Sequence, residues 1–161
     1  MILTEKHFYN IHPDKLIFYI CNMTNNINNN YVYELLSNEN HSILFYSFDS
    51  LNTDVANCPC CLIYKIQKKD NKLNVFIMFL ATAYKFRKYG YASIFLNEFS
   101  NFILDKYNAL HNINIILDSV ETSVCFYEKL GFKWIDTNEY HSELGIEDEY
   151  EHFILVNQLK N

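Results

Sequence analysis

The sequence has few glycines, prolines and tryptophans. Its 161 residues include 3 Gly, 2 Pro and 1 Trp, whereas 50% are hydrophobic and 17% are aromatic. Long disordered segments are rich in Gly and Pro and poor in aromatic residues, so this composition argues against them. The length suits one hydrophobic core, and no repeat or linker divides the sequence. We therefore expect a single domain over residues 1–161.

Positive charge is also scarce. The chain has 13 Lys and Arg against 19 Asp and Glu, which gives a formal net charge of −6. Nucleic acids and acidic membrane surfaces attract basic proteins, so the balance disfavours both as partners. A positively charged partner fits better.

No hydrophobic run is long. The longest uncharged apolar run, residues 75–84, is about half as long as a membrane helix, which needs roughly 20 residues. The first residues lack the basic start and the apolar core of a secretion signal. We therefore expect no membrane attachment and a cytoplasmic location, with the nucleus left open.

Cysteine is present in an odd number. Five cysteines without a secretion signal indicate reduced thiols rather than a disulfide framework. Cys58, Cys60 and Cys61 form a cluster that would suit a small metal-binding interaction domain. Zinc sites usually combine two ligand clusters at a defined spacing, and no second Cys/His pair follows at such a spacing. We therefore interpret the cluster as thiols at the start of a strand and expect no metal.

Hydrophobic periodicity predicts a series of strands and helices. The predicted strands cover residues 5–11, 43–48, 62–67, 73–80, 113–117, 132–135 and 153–159. One predicted helix begins at Pro13, and three more cover residues 31–36, 90–107 and 121–130. An Asn-rich stretch, residues 22–30, is interpreted as a polar loop. A strand, a helix and a strand in the second half predict a parallel strand pair with a right-handed crossover. The predicted fold class is α/β with mixed strand directions.

The segment between the most hydrophobic predicted strand and the longest predicted helix carries the strongest functional signal. Lys85, Arg87 and Lys88 place three of the 13 basic residues within four positions, and Gly90 follows. Amide groups at a helix start bind anions, and a glycine lets the backbone approach a phosphate. The pattern fits a pyrophosphate, although a solvated helix start with a tight turn would use similar residues.

Two motifs resemble those of one family. Arg87-x-x-Gly90-x-Ala92 matches the Arg/Gln-x-x-Gly-x-Gly/Ala signature of the GNAT (Gcn5-related N-acetyltransferase) superfamily. Residues 126–132, of sequence FYEKLGF, match the second landmark of that family and follow in the expected order. From about residue 73 to residue 134 the chain therefore resembles a GNAT protein.

The resemblance implies a fold and a cosubstrate. The fold would be a mixed, mostly antiparallel central sheet of about six to seven strands, flanked by about four helices, with a splayed parallel pair at the coenzyme A (CoA) site. Acetyl-CoA would lie across the sheet between strands 73–80 and 113–117. Its pantetheine arm would pair with Phe79, Leu80, Ala81 and Thr82. Its pyrophosphate would bind near Arg87, on the amides of Lys88, Tyr89, Gly90, Tyr91 and Ala92.

The resemblance also suggests catalytic groups. Tyr127 corresponds to the general acid of many family members, and a phenol with a pKa of about 10 can protonate a thiolate. An amphipathic Tyr that packs on the sheet is the alternative. The oxyanion would bind a backbone N–H, that of Leu80 or Ala81.

The general base has no direct match to the family pattern. Phe76 stands where some family members carry a Glu, and Val120 stands where many carry an Asn that contacts pantetheine. Asp118 is our candidate for acid–base catalysis, with Glu121 close by. Either carboxylate could instead cap the next helix.

These patterns predict an N-acetyltransferase that transfers an acetyl group from acetyl-CoA to a primary amine by direct attack. Seven acidic residues between positions 136 and 151 would attract a cationic acceptor, a polyamine-like molecule or a peptide or protein amine, unless they form an ordinary solvated loop. The two departures at Phe76 and Val120 motivate the alternative, an acyl-CoA-binding module with weak or no activity. A homodimer is possible by the same resemblance.

Overall fold

The computed structural model describes residues 2–6, 13–24, 27–49, 54–147 and 151–159. Within them the strands are β1 (Ile2–Lys6), β2 (His41–Ser47), β3 (Cys60–Lys69), β4 (Lys72–Thr82), β5 (Asn112–Ser119), β6 (Lys133–Trp134) and β7 (Phe153–Leu159). The helices are α1 (Pro13–Thr24), α2 (Asn29–Ser37), α3 (Tyr91–Lys106), α4 (Val124–Glu128) and α5 (His141–Leu144). Short 3-10 turns cover Val55–Asn57, Tyr84–Phe86 and Glu121–Ser123.

The strands form one mixed sheet in the order β1-β2-β3-β4-β5-β7-β6. β4 and β5 are parallel, whereas β1 and β2, β2 and β3, β5 and β7, and β6 and β7 pair antiparallel. β3 and β4 are joined by a two-residue turn at Asp70 and Asn71, where Asp70 has a φ of 53°. The predicted fold class, with a mostly antiparallel sheet and one parallel pair, is confirmed.

The chain forms two compact units, and residues 1–65 and 79–99 make up the first. α3 contributes to its core because Phe95 and Phe99, four residues apart, lie on one face of the helix. The Phe95 ring stacks on Tyr46 of β2 at 5.3 Å, and the Phe99 ring meets Tyr64 of β3 edge-on at 5.1 Å. These contacts fix the start of α3 relative to the sheet strands of the first unit.

The second unit contains residues 66–78 and 100–161. Phe76 of β4, Ile116 of β5 and Ile154 of β7 are buried together with Tyr140, which precedes α5. α5 was not predicted from the sequence, because a four-residue helix has no readable periodicity. The prediction of one domain over residues 1–161 stays a prediction.

Several element boundaries differ from the predicted ones. α1 extends through Thr24 into the predicted polar loop, since Met23 is buried and the Thr24 hydroxyl donates to the Ile20 carbonyl at 3.3 Å. α2 begins at Asn29 because Asn28 caps it, accepting from the Asn30 amide at 2.8 Å. α4 is shorter than predicted, as the Glu121–Ser123 turn precedes it. The predicted first strand covered residues 5–11, of which residues 7–11 lie outside the described residues.

The clustered cysteines lie where the sequence predicted. Cys60 and Cys61 begin β3, and both are buried free thiols, as is Cys58. Among the described residues, no three His, Cys, Asp or Glu side chains are placed to hold a metal ion. No helix in the described part of the chain is both long and apolar enough to cross a bilayer.

Candidate functional site

The β4–α3 loop, residues 83–90, carries the predicted phosphate-binding residues. It begins with the Tyr84–Phe86 turn, in which the Arg87 amide donates to the Tyr84 carbonyl at 3.2 Å. Lys88 and Gly90 then have φ angles of 69° and 79°. The left-handed conformation is costly for a lysine. The loop therefore holds two residues with positive φ within the three positions that precede α3.

The start of α3 adds further amide donors. The first α-helical hydrogen bond runs from the Ile94 amide to the Gly90 carbonyl at 3.2 Å. The amides of Tyr91, Ala92 and Ser93 come before Ile94, so the helix itself supplies no carbonyl acceptor for them. A Cβ placed on Gly90 would have no heavy atom within 4 Å. The space beside the loop is open, and the helix dipole favours an anion there.

The guanidinium of Arg87 binds backbone carbonyls of the protein itself. Its Nε donates to the Thr82 carbonyl at 3.2 Å and its Nη2 donates to the Met23 carbonyl at 2.9 Å. Its guanidinium carbon lies 5.6 Å from the centre of the Tyr84 ring. The signature arginine thus ties the end of β4 to the end of α1 and holds the loop in place.

β4 offers a free edge beyond its pairing with β5. The parallel pairing runs from Lys72 with Asn112 to Ile77 with Leu117, and β4 continues to Thr82. The Ala83 amide donates to the Pro59 carbonyl, on the β3 side, at 2.9 Å. Peptide groups alternate between the two edges of a regular strand, so Leu80 and Ala81, the two predicted oxyanion donors, direct their amides to different edges wherever β4 is regular.

Tyr127 lies at the end of α4 in an aromatic environment. Its ring centre is 5.0 Å from that of Phe126 and 5.6 Å from that of Phe132. Its carbonyl accepts from the amides of Leu130 and Phe132 at 2.9 and 3.2 Å, around Gly131 with its φ of 89°. Burial raises the pKa of Tyr127 to about 12. The phenol therefore keeps its proton at neutral pH.

Asp118 forms an ion pair that the sequence did not reveal. Its Oδ2 lies 2.8 Å from Nδ1 of His152, and Nε2 of the same ring lies 3.1 Å from the Glu147 carbonyl oxygen. Both partners are acceptors, so the geometry favours an imidazolium that donates from both nitrogens. The His141 ring is 6.1 Å away. Asp118 is thus engaged by a histidine of the segment before β7.

Solved structures resemble the whole chain. No protein-family model and no curated protein sequence matches it. GCN5 of Tetrahymena superposes with a TM-score of 0.69 at 13% identity, over 98% of this chain and 96% of that one. The catalytic domain of the Tetrahymena GCN5 histone acetyltransferase in complex with coenzyme A gives 0.61 at 14% identity, over 99% and 92%. Naa50 of Arabidopsis thaliana in complex with the bisubstrate analogue CoA-Ac-MVNAL gives 0.57 at 18% identity, over 99% and 100%.

This chain has the GNAT fold. Against the GNAT pattern noted in the sequence, its clearest departure is Phe76. This side chain is fully buried, and its ring centre lies 5.8 Å from that of Tyr140. The position of the Glu found in some family members is therefore part of the hydrophobic core. The other departure, Val120, is 68% exposed.

Two carboxylates of the acidic segment, residues 136–151, are engaged within this GNAT fold. Glu143 accepts from Gln67 at 3.0 Å, and Glu139 lies 3.9 Å from the Lys72 ammonium. The same ammonium donates to the Tyr140 hydroxyl at 3.3 Å. Residues 148–150 lie outside the described residues. The pairings of Glu139 and Glu143 fasten this segment to β3 and β4 within the second unit.

Proposed function

We propose that this protein is an N-acetyltransferase that transfers the acetyl group of acetyl-CoA to a primary amine. The observation that carries the proposal is the β4–α3 loop, with left-handed Lys88 and Gly90, open space beside Gly90 and donor amides at the start of α3. A diphosphate fits these features because it needs several N–H donors and a positive field. Exposed Lys85 and Lys88 add charge on the same loop.

The free edge of β4 supports the same cosubstrate. The amide groups of a pantetheine arm can pair with an exposed strand edge as an added strand would. We propose that such an arm pairs with the peptide groups of residues 79–82, of which the Thr82 carbonyl already accepts from Arg87. The Leu80 amide is then the donor proposed to stabilise the oxyanion.

The proposed reaction is a direct attack. The nitrogen of the neutral amine forms a bond to the thioester carbonyl carbon, and the carbonyl electrons move to oxygen. Collapse of this intermediate breaks the C–S bond, and the CoA thiolate takes the proton of the Tyr127 hydroxyl. The phenolate then recovers a proton from the acylated nitrogen. The place of Tyr127 in this scheme comes from the family resemblance. The phenol is protonated at neutral pH, and its raised pKa makes it a weaker acid than a free tyrosine.

Asp118 is proposed to act together with His152. The Asp118 carboxylate is the proposed proton acceptor, and His152, 2.8 Å away, holds it in position. An incoming ammonium must lose a proton before it can attack, and the pair offers a route for that proton because Phe76 leaves no carboxylate at the usual family position. The proposed acceptor is cationic, in agreement with the net charge of −6.

The test is thiol release. Purified protein with acetyl-CoA and a panel of polyamines, small amines and peptides should release free CoA only when an amine is present, and the acetylated amine should appear in equal amount by mass spectrometry. Absence of both products across the panel, with acetyl-CoA still bound in calorimetry, would instead select the binding module without turnover. The buried Phe76 is the observation that favours this second candidate.

A further inference from the structure

A cavity of the second unit has no part in the reaction proposed above. It lies between the β3–β4 hairpin and the segment that contains α5, and its volume is about 360 Å³. A cavity of this size holds a small organic ligand. None of the residues assigned above to cofactor binding or to acid–base chemistry is among the described residues that line it. Its main polar side chains are those of Lys69, Lys72, Asn74, Glu139, Tyr140 and Glu143.

One face of the sheet forms the floor of this cavity. Side chains two residues apart on a strand point to the same side, so Lys72 and Asn74 share a face of β4 with Phe76. The Phe76 ring centre lies 5.8 Å from that of Tyr140, which places the segment before α5 over this face. A hydrogen bond of 3.0 Å from Gln67 joins β3 to α5. Both walls are therefore held in place by the protein before a ligand arrives.

Asn74 is a buried polar residue that uses only part of its hydrogen-bonding capacity. It is 6% exposed, and its carboxamide oxygen accepts from Asn114 of β5 at 3.2 Å. Within the described residues its NH2 group has no hydrogen-bond partner. Every described side-chain nitrogen or oxygen that is sealed from solvent does have a partner. The NH2 group of Asn74 therefore opens into the cavity, where an acceptor of a ligand can reach it.

Charges of both signs surround this donor. Lys69 and Lys72 bring ammonium groups from the hairpin, and Glu139 and Glu143 bring carboxylates from the facing segment. The Lys72 ammonium donates to the Tyr140 hydroxyl at 3.3 Å but lies 3.9 Å from the Glu139 carboxylate, which is 61% exposed. An ion pair this long and this exposed is weak. A ligand carboxylate can therefore take the place of Glu139 beside Lys72.

The mixture of charges disfavours ligands of a single sign. A simple anion would face the carboxylates of Glu139, Glu143 and Asp70, the last of which lies in the turn of the hairpin. A simple cation would face the ammonium groups of Lys69 and Lys72. A ligand with one group of each sign meets neither repulsion, because its carboxylate points to the hairpin and its ammonium points to the acidic wall.

We propose that this cavity is a second ligand site, which binds a small zwitterion. The carboxylate of the ligand accepts from the Asn74 NH2 group and from the Lys72 ammonium, and its own ammonium donates to Glu139 and Glu143. A free amino acid and a short peptide with free ends share this chemistry. The bound ligand joins the β3–β4 hairpin to the segment that contains α5. The site is independent of the proposed function, because it involves neither CoA nor acetyl transfer.

The test is calorimetry in the absence of CoA with two isomeric zwitterions, L-asparagine and glycylglycine. The two charges are close together in the amino acid and farther apart in the dipeptide, so the tighter probe defines the charge spacing of the ligand. The C-terminal amide of each probe lacks the carboxylate, and its N-acetyl derivative lacks the ammonium. Each derivative should bind at least about 10-fold more weakly than its parent, since charge-assisted hydrogen bonds are lost.

Two variants remove one charge each from the cavity. Lys72→Gln and Glu143→Gln should each weaken binding of the zwitterion about 10-fold, and the glutamine at position 143 keeps an acceptor for Gln67. Lys133→Gln is the matched control, because Lys133 is an exposed lysine of the same unit that is absent from the cavity wall. It should bind the zwitterion as the wild type does. In NMR spectra of the wild type, the side-chain NH2 signals of Asn74 should shift as the ligand saturates the protein.

No saturable binding of either zwitterion below about 10 mM would overturn the proposal. Derivatives with a single charge that bind as tightly as their parents would also overturn it. The same holds for an unchanged affinity in both cavity variants, and for a bound zwitterion that leaves the NH2 signals of Asn74 unmoved. None of these results bears on the acetyltransferase proposal, which thiol release tests separately.

Discussion

The β4–α3 loop of the first unit and the Asp118–His152 pair of the second are built on opposite principles. The loop holds Lys88 and Gly90 in left-handed conformations beside open space. Asp118, in contrast, already has its partner at 2.8 Å, and the Phe76 position is filled by core packing. The loop thus leaves amides and space that the protein itself does not fill, whereas the candidate acid–base residue has a partner within the protein. We infer that cofactor binding and turnover can be separated by mutation.

We expect the largest effect from a substitution that fills the open space beside the loop. Gly90→Val should weaken CoA binding at least 100-fold, because a β-branched residue avoids a φ of 79° and its side chain would project into the open space. The measurement is calorimetric titration with CoA.

Gly145→Val is the matched control for this change. Gly145, after α5, has a φ of 69°, and a Cβ placed on it would likewise meet no heavy atom within 4 Å. Both variants should lose stability by about 1–3 kcal/mol from backbone strain, yet only the change at Gly90 should affect CoA binding. Equal CoA affinities in the two variants would contradict the assignment of the loop.

The second change removes the proposed acid. Tyr127→Phe should lower kcat about 100-fold, since general acid catalysis contributes at this level, and should leave the affinity for CoA unchanged. Steady-state rates of thiol release, paired with calorimetry, give the comparison. An unaltered kcat would show that Tyr127 only packs against its neighbours and is not the general acid.

The raised pKa of Tyr127 predicts a pH dependence of stability. The folded protein holds the phenol proton to a pKa of about 12, above the unfolded value of about 10, so it binds more protons than the unfolded chain between these values. This contribution is complete below pH 10 and is lost as the pH rises to 12. It amounts to about 3 kcal/mol. Urea unfolding measures the free energy of unfolding at pH 9 and at pH 11.5. Between these pH values this free energy should fall less for Tyr127→Phe than for the wild type. Identical decreases in the two proteins would refute the burial of the phenol.

The acid–base pair predicts a smaller effect. Asp118→Asn and His152→Gln should each lower kcat about 10-fold and leave the affinity for CoA unchanged, because neither residue belongs to the loop. The double variant should be no slower than either single one, since the two groups act as a unit. If the decrease in kcat of the double variant equals the product of the two single decreases, the ion pair does not function as one group.

The smallest expected effect concerns the signature arginine. Arg87→Lys keeps the charge but loses the fork that reaches the Thr82 and Met23 carbonyls together. We expect a loss of about 1–2 kcal/mol in stability and a change in CoA affinity of less than about 3-fold. A large loss of affinity in a protein of normal stability would make Arg87 a direct phosphate ligand.

Local features of the fold were readable from the sequence. The continuous apolar run of β4, the helical stripe of α3 and the glycine after α4 each depend on neighbouring residues, and each gave an element close to its observed position. The two motifs around Gly90 and Tyr127 are also made of residues close together in the sequence, and they predicted the fold class.

Long-range partners could not be predicted in this way. His152 is 34 residues from Asp118 along the chain, and Met23 is 64 residues from Arg87. No periodicity or spacing relates such residues before the strands are aligned. The contact between the end of β4 and the residue before β3 is likewise long-range, and it is known only from the hydrogen bond between the Ala83 amide and the Pro59 carbonyl.

The central claim is that the amides opening α3 bind the diphosphate of a CoA thioester. The most direct measurement is an amide ¹H–¹⁵N NMR titration of the protein with CoA. The account predicts that the largest shift changes occur at Lys88, Tyr89, Gly90, Tyr91 and Ala92, and that inorganic pyrophosphate shifts the same amides. Saturable binding of CoA with these amides unmoved, or no binding at all, would contradict it.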